Sequence, residues 1–401
     1  MKPTTAVRIV VTGIGMVTPV GTGKEAWQNL LAGQCGTRKV SSFDTTAYGV
    51  HLGGEVQDFD PGPYFQRLEA GTVGRASQLA VAAARLAADD ADLGQAPYDP
   101  LCGGVVMGTT SGEPQEVEHF NDRLIAGEGV GDELAIRYPC HTIAAHVAAE
   151  LGFGGPNTMI PAACAAGNYA IANAFDQLRA GRADVMVAGG ADAFSRITYT
   201  GFYRLGAIAP ERCQPFDKNR KGMIPGEGAA ALVLERLDDA RARGAQIYAE
   251  VTGYGLSCDA HHMTAPDGNG AARAMEQALT ASGINPDEVS YVSAHGTGTP
   301  TNDRLESGAL QRVFNGRRVP VSSVKSMIGH TMGAASAIEG GVCALAVHEG
   351  RIPPTAHFDE VDPECDVDCV PNEARELPVP VAMSNAYAFG GNNASLIFRQ
   401  I

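Results

Sequence analysis

One tryptophan, 13 phenylalanines and 11 tyrosines in 401 residues leave little aromatic surface. That scarcity argues against a stacking platform for single-stranded nucleic acid. Positive charge is also in short supply: 30 Lys and Arg against 45 Asp and Glu give a formal net charge of −15. This is the wrong sign for non-specific binding to a phosphate backbone. No apolar run approaches the roughly 20 residues of a membrane span. Residues 1–20 lack an apolar secretion core followed by a cleavage site; their apolar run, 7–11, is of strand length. Nine cysteines, an odd number at irregular spacing, do not make a disulfide framework and fit a reducing cytoplasm. Metal-ligand spacing is missing too. There is no short Cys-x-x-Cys or His-x-x-x-His pair, Cys365 and Cys369 share an acidic loop without a nearby His, and His261 and His262 are adjacent.

What is present is apolar bulk, 44% of residues, with 49 glycines and many alanines. A chain of this length buries a full core as one large domain or two. Residues 7–11 read as a strand ended by Thr12-Gly13-Ile14-Gly15. That Gly-x-Gly is not a dinucleotide turn, because the third glycine is replaced by Thr18 and Pro19 follows at once. Residues 75–91 have helical spacing, 103–108 are a short buried strand, and 143–151 form a helix closed by Gly152. Strands at 184–190 and 226–235 close this half. Strands alternating with helices predict parallel pairing and an α/β fold.

After the charged helix 238–243 the pattern restarts. Glu250-Val251-Thr252-Gly253-Tyr254-Gly255 echoes Val10-Val11-Thr12-Gly13-Ile14-Gly15, and the segment from Gly390 echoes that from Gly226. Two matched openings and two matched closings predict a duplication, with halves at 1–246 and 247–401 and no flexible linker between them.

The chemistry gathers at strand ends. In Thr158-Met159-Ile160-Pro161-Ala162-Ala163-Cys164-Ala165-Ala166-Gly167-Asn168 an apolar strand bends into an alanine-rich helix whose first turn carries Cys164. Small neighbours let a substrate approach the sulfur, and the helix's unsatisfied N–H groups and dipole favour thiolate there. Taken alone, this cysteine reads equally as a structural one. A strand at 289–294 runs into His295-Gly296-Thr297-Gly298-Thr299-Pro300, a turn that leaves His295 open at the strand end. Another, 319–324, runs into Lys325-Ser326-Met327-Ile328-Gly329-His330 ahead of a second alanine-rich helix. Functional groups of α/β folds cluster at such carboxyl ends. A glycine turn at Phe389-Gly390-Gly391 offers backbone N–H groups.

These three blocks resemble the signature blocks of the β-ketoacyl-acyl-carrier-protein synthases, in their elongating Cys-His-His form. Phe216-Asp217-Lys218-Asn219-Arg220, Gly226-Glu227-Gly228-Ala229, Asp259-Ala260-x-His262-Met263-Thr264-Ala265-Pro266 and Phe389-Gly390-Gly391 extend the likeness over residues 7–399. The resemblance implies the thiolase fold, two βαβαβαββ halves in five α-β-α-β-α layers, usually dimeric. It implies that Cys164 carries the acyl group, that His295 and His330 stabilise the malonyl thioester oxygen, and that Lys325 adds positive charge. Glu306 matches the usual acidic companion of that lysine and has a structural role. The backbone N–H groups of Cys164 and Phe389 match a second oxyanion hole, Phe389 also matches a gate, and Thr297 and Thr299 match the pantetheine-binding threonines. No metal or redox cofactor is implied; the substrates ride on the phosphopantetheine of an acyl carrier protein.

Two departures stand out. Residues 67–75 carry few of the basic groups with which such enzymes usually dock an acidic carrier. Docking then falls to Arg204, Arg212, Lys218, Arg220 and Lys221, or to a partner subunit. Ser111 stands where a bulkier apolar residue often lines the acyl pocket, and Glu113 follows it, which suggests a longer, unsaturated or oxygenated chain. Fatty-acid elongation by a homodimer is therefore set beside a type II polyketide or polyene synthase, in which the chain pairs with a chain-length-factor-like subunit. A non-catalytic scaffold is opposed by Cys164. A degradative thiolase needs a second catalytic cysteine, for which Cys343 and Cys365 lack the glycine-rich setting.

Overall fold

The computed structural model describes residues 7–401. The first half contributes β1 (Ile9–Thr18), α1 (Arg75–Asp90), β2 (Gly103–Gly108), α2 (His141–Leu151), β3 (Asn157–Ile160), α3 (Ala166–Arg179), β4 (Val185–Asp192) and β5 (Gly228–Arg236). The second contributes β6 (Ala249–Cys258), α4 (Gly268–Ser282), β7 (Tyr291–Ser293), α5 (Pro300–Val313), β8 (Pro320–Ser322), α6 (Gly333–Glu349), the short β9 (Asp368–Cys369), β10 (Val381–Tyr387) and β11 (Asn392–Arg399). These strands lie in the order β9-β8-β7-β10-β11-β6-β1-β5-β4-β2-β3. Outward from the β1–β6 junction, one half reads β1-β5-β4-β2-β3 and the other β6-β11-β10-β7-β8. The duplication seen in the sequence is thus repeated in sheet order. Pairing types match as well: β2 is parallel to β3 and β4, as β7 is to β8 and β10; β9 adds a further parallel neighbour to β8, and the remaining neighbours are antiparallel.

The first strand is longer than its apolar run suggests. Gly13 and Gly15 lie inside β1, because α1 crosses it too closely for a side chain: a Cβ on Gly15 would fall 2.0 Å from the Ala83 carbonyl oxygen. The second half repeats this crossing, where a Cβ on Gly255 would fall 2.0 Å from the Ala274 oxygen of α4. Helices α1 and α2 cover one outer face, and α4 and α5 the other. Between the two half-sheets run α3 and α6, completing five layers. Every residue of α6 from Gly333 to Val347 is buried, as expected of a helix that is apolar all round.

The two central helices cross where a Cβ on Gly167 would sit 2.4 Å from the Ala337 nitrogen. That close approach brings their N-termini together. One N-terminus follows Cys164; the other follows His330.

Candidate active site

The nucleophile's bend is strained. Ala163 has φ +46, a left-handed conformation that costs a non-glycine residue roughly 1–2 kcal/mol. The turn Ala163–Ala165 then leads directly into α3, with Cys164 6% exposed. His330 Nε2 lies 3.1 Å from Cys164 Sγ. The ring of His295 stands edge-on to that of His330, with centroids 5.5 Å apart. All three line one cavity of about 390 Å³. The sulfur and the two imidazoles, distant along the chain, meet.

His295 is buried rather than open at its strand end. Two carboxylates on α5 hold its loop. Glu306 accepts from the N–H groups of His295 and Gly296 at 2.9 and 2.8 Å, and Asp303 from those of Thr297, Gly298 and Phe216. Glu306 is therefore structural, but it is not the lysine's partner. Lys325 forms its buried ion pair with Glu339 of α6. The sequence carries a signal for this pairing: Glu339 is the one charged residue between Gly333 and Val347. Burial raises Glu306 to about 8 and Glu339 to about 7.

The electrostatics correct the expected thiolate. Burial pushes the Cys164 thiol up to about 12, although the Lys325 charge pulls the other way. Burial also drives both imidazoles well below their usual range, reinforced by Lys325 and, for His295, by His330. The resting site therefore holds a thiol and two neutral imidazoles.

Thr297 and Thr299 line the same cavity and share a 2.9 Å hydrogen bond. Phe389, 38% exposed, stands at the cavity with its ring 5.7 Å from that of Phe202, and Gly390 and Gly391 follow with φ +82 and +81. Met263, His262 and Tyr387 also line it. Nothing in the sequence marks Tyr387, an aromatic at a strand end, as part of the site.

Three expected sites lie elsewhere. Ser111 does not line the cavity; its N–H donates to the buried Asp192, which also accepts from Thr110 N, Thr109 Oγ1 and Gly333 N. Glu113 turns away to accept from Ala76 N and Ser77 N at the start of α1. Arg220 is buried, bound to Asp362 and to the carbonyls of Asp217 and Pro300, and so cannot dock a carrier. Arg212 and Lys218 are exposed but paired with Asp359 and Glu360. Arg204 and Lys221 are exposed without an ion-pair partner among the described residues, and Lys221 lines the cavity. Cys343 and Cys365 are outside the cavity lining.

A duplicated five-layer α/β body with a cysteine and two histidines converging between its halves defines a thiolase-fold, acyl-transferring enzyme. The model for the N-terminal domain of β-ketoacyl synthases matches residues 6–240, and that for their C-terminal domain residues 248–359. A 3-oxoacyl-[acyl-carrier-protein] synthase 2 of a Synechocystis strain is 40% identical, over 98% of each chain. Its namesake in Staphylococcus aureus is 39% identical, again over 98% of each chain. Among solved structures, the ishigamide ketosynthase/chain length factor superposes with TM-score 0.96 at 43% identity, over 99% of this chain and 100% of that one. A type II PKS ketosynthase bound to the hexaketide, in complex with its acyl-carrier protein, superposes with TM-score 0.90 at 31% identity, over 99% and 100%. The chain belongs to the β-ketoacyl synthase family.

Proposed function

We propose that this enzyme joins carbon to carbon by decarboxylative condensation, elongating fatty acyl chains held on an acyl carrier protein. The observation that carries the reading is the shared cavity, with Cys164 Sγ 3.1 Å from His330 Nε2 and His295 edge-on beside it. In the first step the thiol attacks an acyl thioester. An acyl–sulfur bond forms on Cys164, the old one breaks, and the pantetheine leaves as a thiol. The proton leaving Cys164 ends on that thiol, so no net charge is produced, and His330 is the group placed to pass it. In the second step the malonyl thioester loses CO₂, and its electron pair becomes an enolate whose oxygen accepts hydrogen bonds from His295 and His330. The enolate carbon then attacks the acyl group on Cys164, with the backbone N–H groups of Cys164 and Phe389 receiving the second oxyanion. The acyl–sulfur bond breaks, and the departing thiolate takes up one proton from solvent, passed by His330, to restore the thiol.

Neutral imidazoles suit the second step. Their N–H groups stabilise charge that appears mainly in the transition state. Burial keeps them neutral, and the nearby Lys325 also opposes their protonation. Thr297 and Thr299 hold the pantetheine arm, Phe389 gates the site, and Arg204 and Lys221 draw the acidic carrier. The reading needs no metal or redox cofactor. Among the described residues no helix is long and apolar enough to cross a membrane, and we place the enzyme in the cytoplasm.

A second pathway is favoured by the likeness to the ishigamide ketosynthase/chain length factor. The same reaction would then build a polyketide or polyene, with a chain-length-factor-like subunit as partner in place of a second copy. The test of the shared chemistry is the intact mass of the protein after exposure to an acyl-carrier thioester. Wild type gains one acyl group and Cys164→Ala gains none. Acylation of that variant would overturn the covalent route.

A further inference from the structure

Three polar atoms on the cavity's lining residues are buried with no partner among the described residues: His295 Nδ1, His330 Nδ1 and the Tyr387 hydroxyl. The first and the last lie on adjacent rings. They belong to the ends of neighbouring strands: β7 and β10 are parallel, with Ser293 opposite Ser384, and the chain continues two residues to His295 and three to Tyr387. The rings stand edge-on with centroids 5.7 Å apart. Tyr387 is 5% exposed and lines the same cavity as Cys164.

A buried donor or acceptor left unmade is destabilising, and two orphans on adjacent rings can relieve each other. Either ring can donate, since a phenol O–H both donates and accepts; the condensation reading selects the polarity that leaves an N–H at His295 Nε2. Burial, with the Glu306 charge, raises the Tyr387 hydroxyl well above its usual range, so it stays a neutral O–H. His295 is a neutral imidazole with one ring nitrogen protonated and the other an acceptor. The phenol therefore donates and Nδ1 accepts, directly or across one water. The His295 proton is then confined to Nε2.

We propose that Tyr387 is a positioning residue that fixes His295 as its Nε2–H tautomer, aiming a donor at the extender's thioester oxygen. The proposal rests on the condensation reading above and adds to it the residue that sets the donor's direction. Its effect falls on one half-reaction. Malonyl decarboxylation needs the His295 N–H, whereas acylation of Cys164, whose neighbour is His330, does not.

The test is Tyr387→Phe, which keeps the ring and removes the hydroxyl. Decarboxylation of malonyl carrier is expected to lose about tenfold in kcat with KM unchanged, the scale of one lost hydrogen-bonding contribution, while the rate of Cys164 acylation stays at the wild-type value. Equal losses in both half-reactions, or none, would overturn the assignment. A second measurement needs no variant: ¹⁵N spectra of histidine-labelled wild-type enzyme should show His295 with Nδ1 unprotonated, and a protonated Nδ1 would overturn it whether or not the variant folds. Failure of wild type to acylate Cys164 would instead sink the parent reading, so the two failures are separable.

Discussion

Cys164 sits under two opposed influences. The start of α3 and the Lys325 charge favour the thiolate, while its enclosure among alanines disfavours any charge, and enclosure prevails. On the proposed mechanism, the sulfur stays a thiol until an acyl thioester arrives, and activation is proton passage at His330 rather than a standing anion. Lys325 faces the same enclosure, and Glu339 lies against it. Removing one member of a buried pair strands the other, at a cost of about 3–5 kcal/mol. Lys325→Met should therefore lower the urea midpoint sharply, and adding Glu339→Gln should recover part of the loss. An unchanged midpoint in the single variant would show that the pair contributes nothing. The sequence displayed the cysteine, both histidines and the lysine through their glycine-rich settings. The family resemblance names Glu306 as the lysine's companion, whereas the helix crossing delivers Glu339.

The elements show where local reading succeeds and where it stops. The helix at 75–91, the strand at 103–108 and the Gly152 stop are met by α1, β2 and α2, whose C-cap Gly152 has φ +73. Spacing and end signals are local, so they were legible. Side-chain direction across a loop is not local, and Glu113 illustrates the gap: placed near an acyl pocket by its neighbourhood, it caps α1 instead. Burial raises that carboxyl to about 7, although the helix N–H groups pull it down. Its unfolded value lies near 4.3. Between the two, the folded state holds the proton more tightly, so stability is greatest at acid pH and declines as pH rises through about 7. Relative to Glu113→Gln, wild type should therefore lose more of its urea midpoint, or gain less, as pH rises from 5 to 8. Parallel curves would contradict this, with Asp192 at about 6 and Glu306 at about 8 supplying the residual slope.

The whole molecule is two copies of one topology joined edge to edge at β1 and β6 and wrapped around two central helices. The echo of Gly13 and Gly15 in Gly253 and Gly255 made the repeat visible in the chain, because the same strand–helix crossing recurs. What no echo could show is that α3 and α6 cross head to head, and that crossing is what turns two separate strand-end motifs into one chamber. Carrier docking was the least legible feature. Arg220 looked like a surface charge in a polar stretch, yet long-range pairing with Asp362 draws it inside.

The most direct measurement supplies primer on its carrier together with malonyl carrier labelled with ¹³C at the free carboxyl, and follows both products by mass spectrometry. The account predicts one labelled CO₂ for each carrier-bound product, which is longer by two carbons, unlabelled, and absent with Cys164→Ala. Labelled CO₂ without chain growth, or label retained in the product, would contradict it.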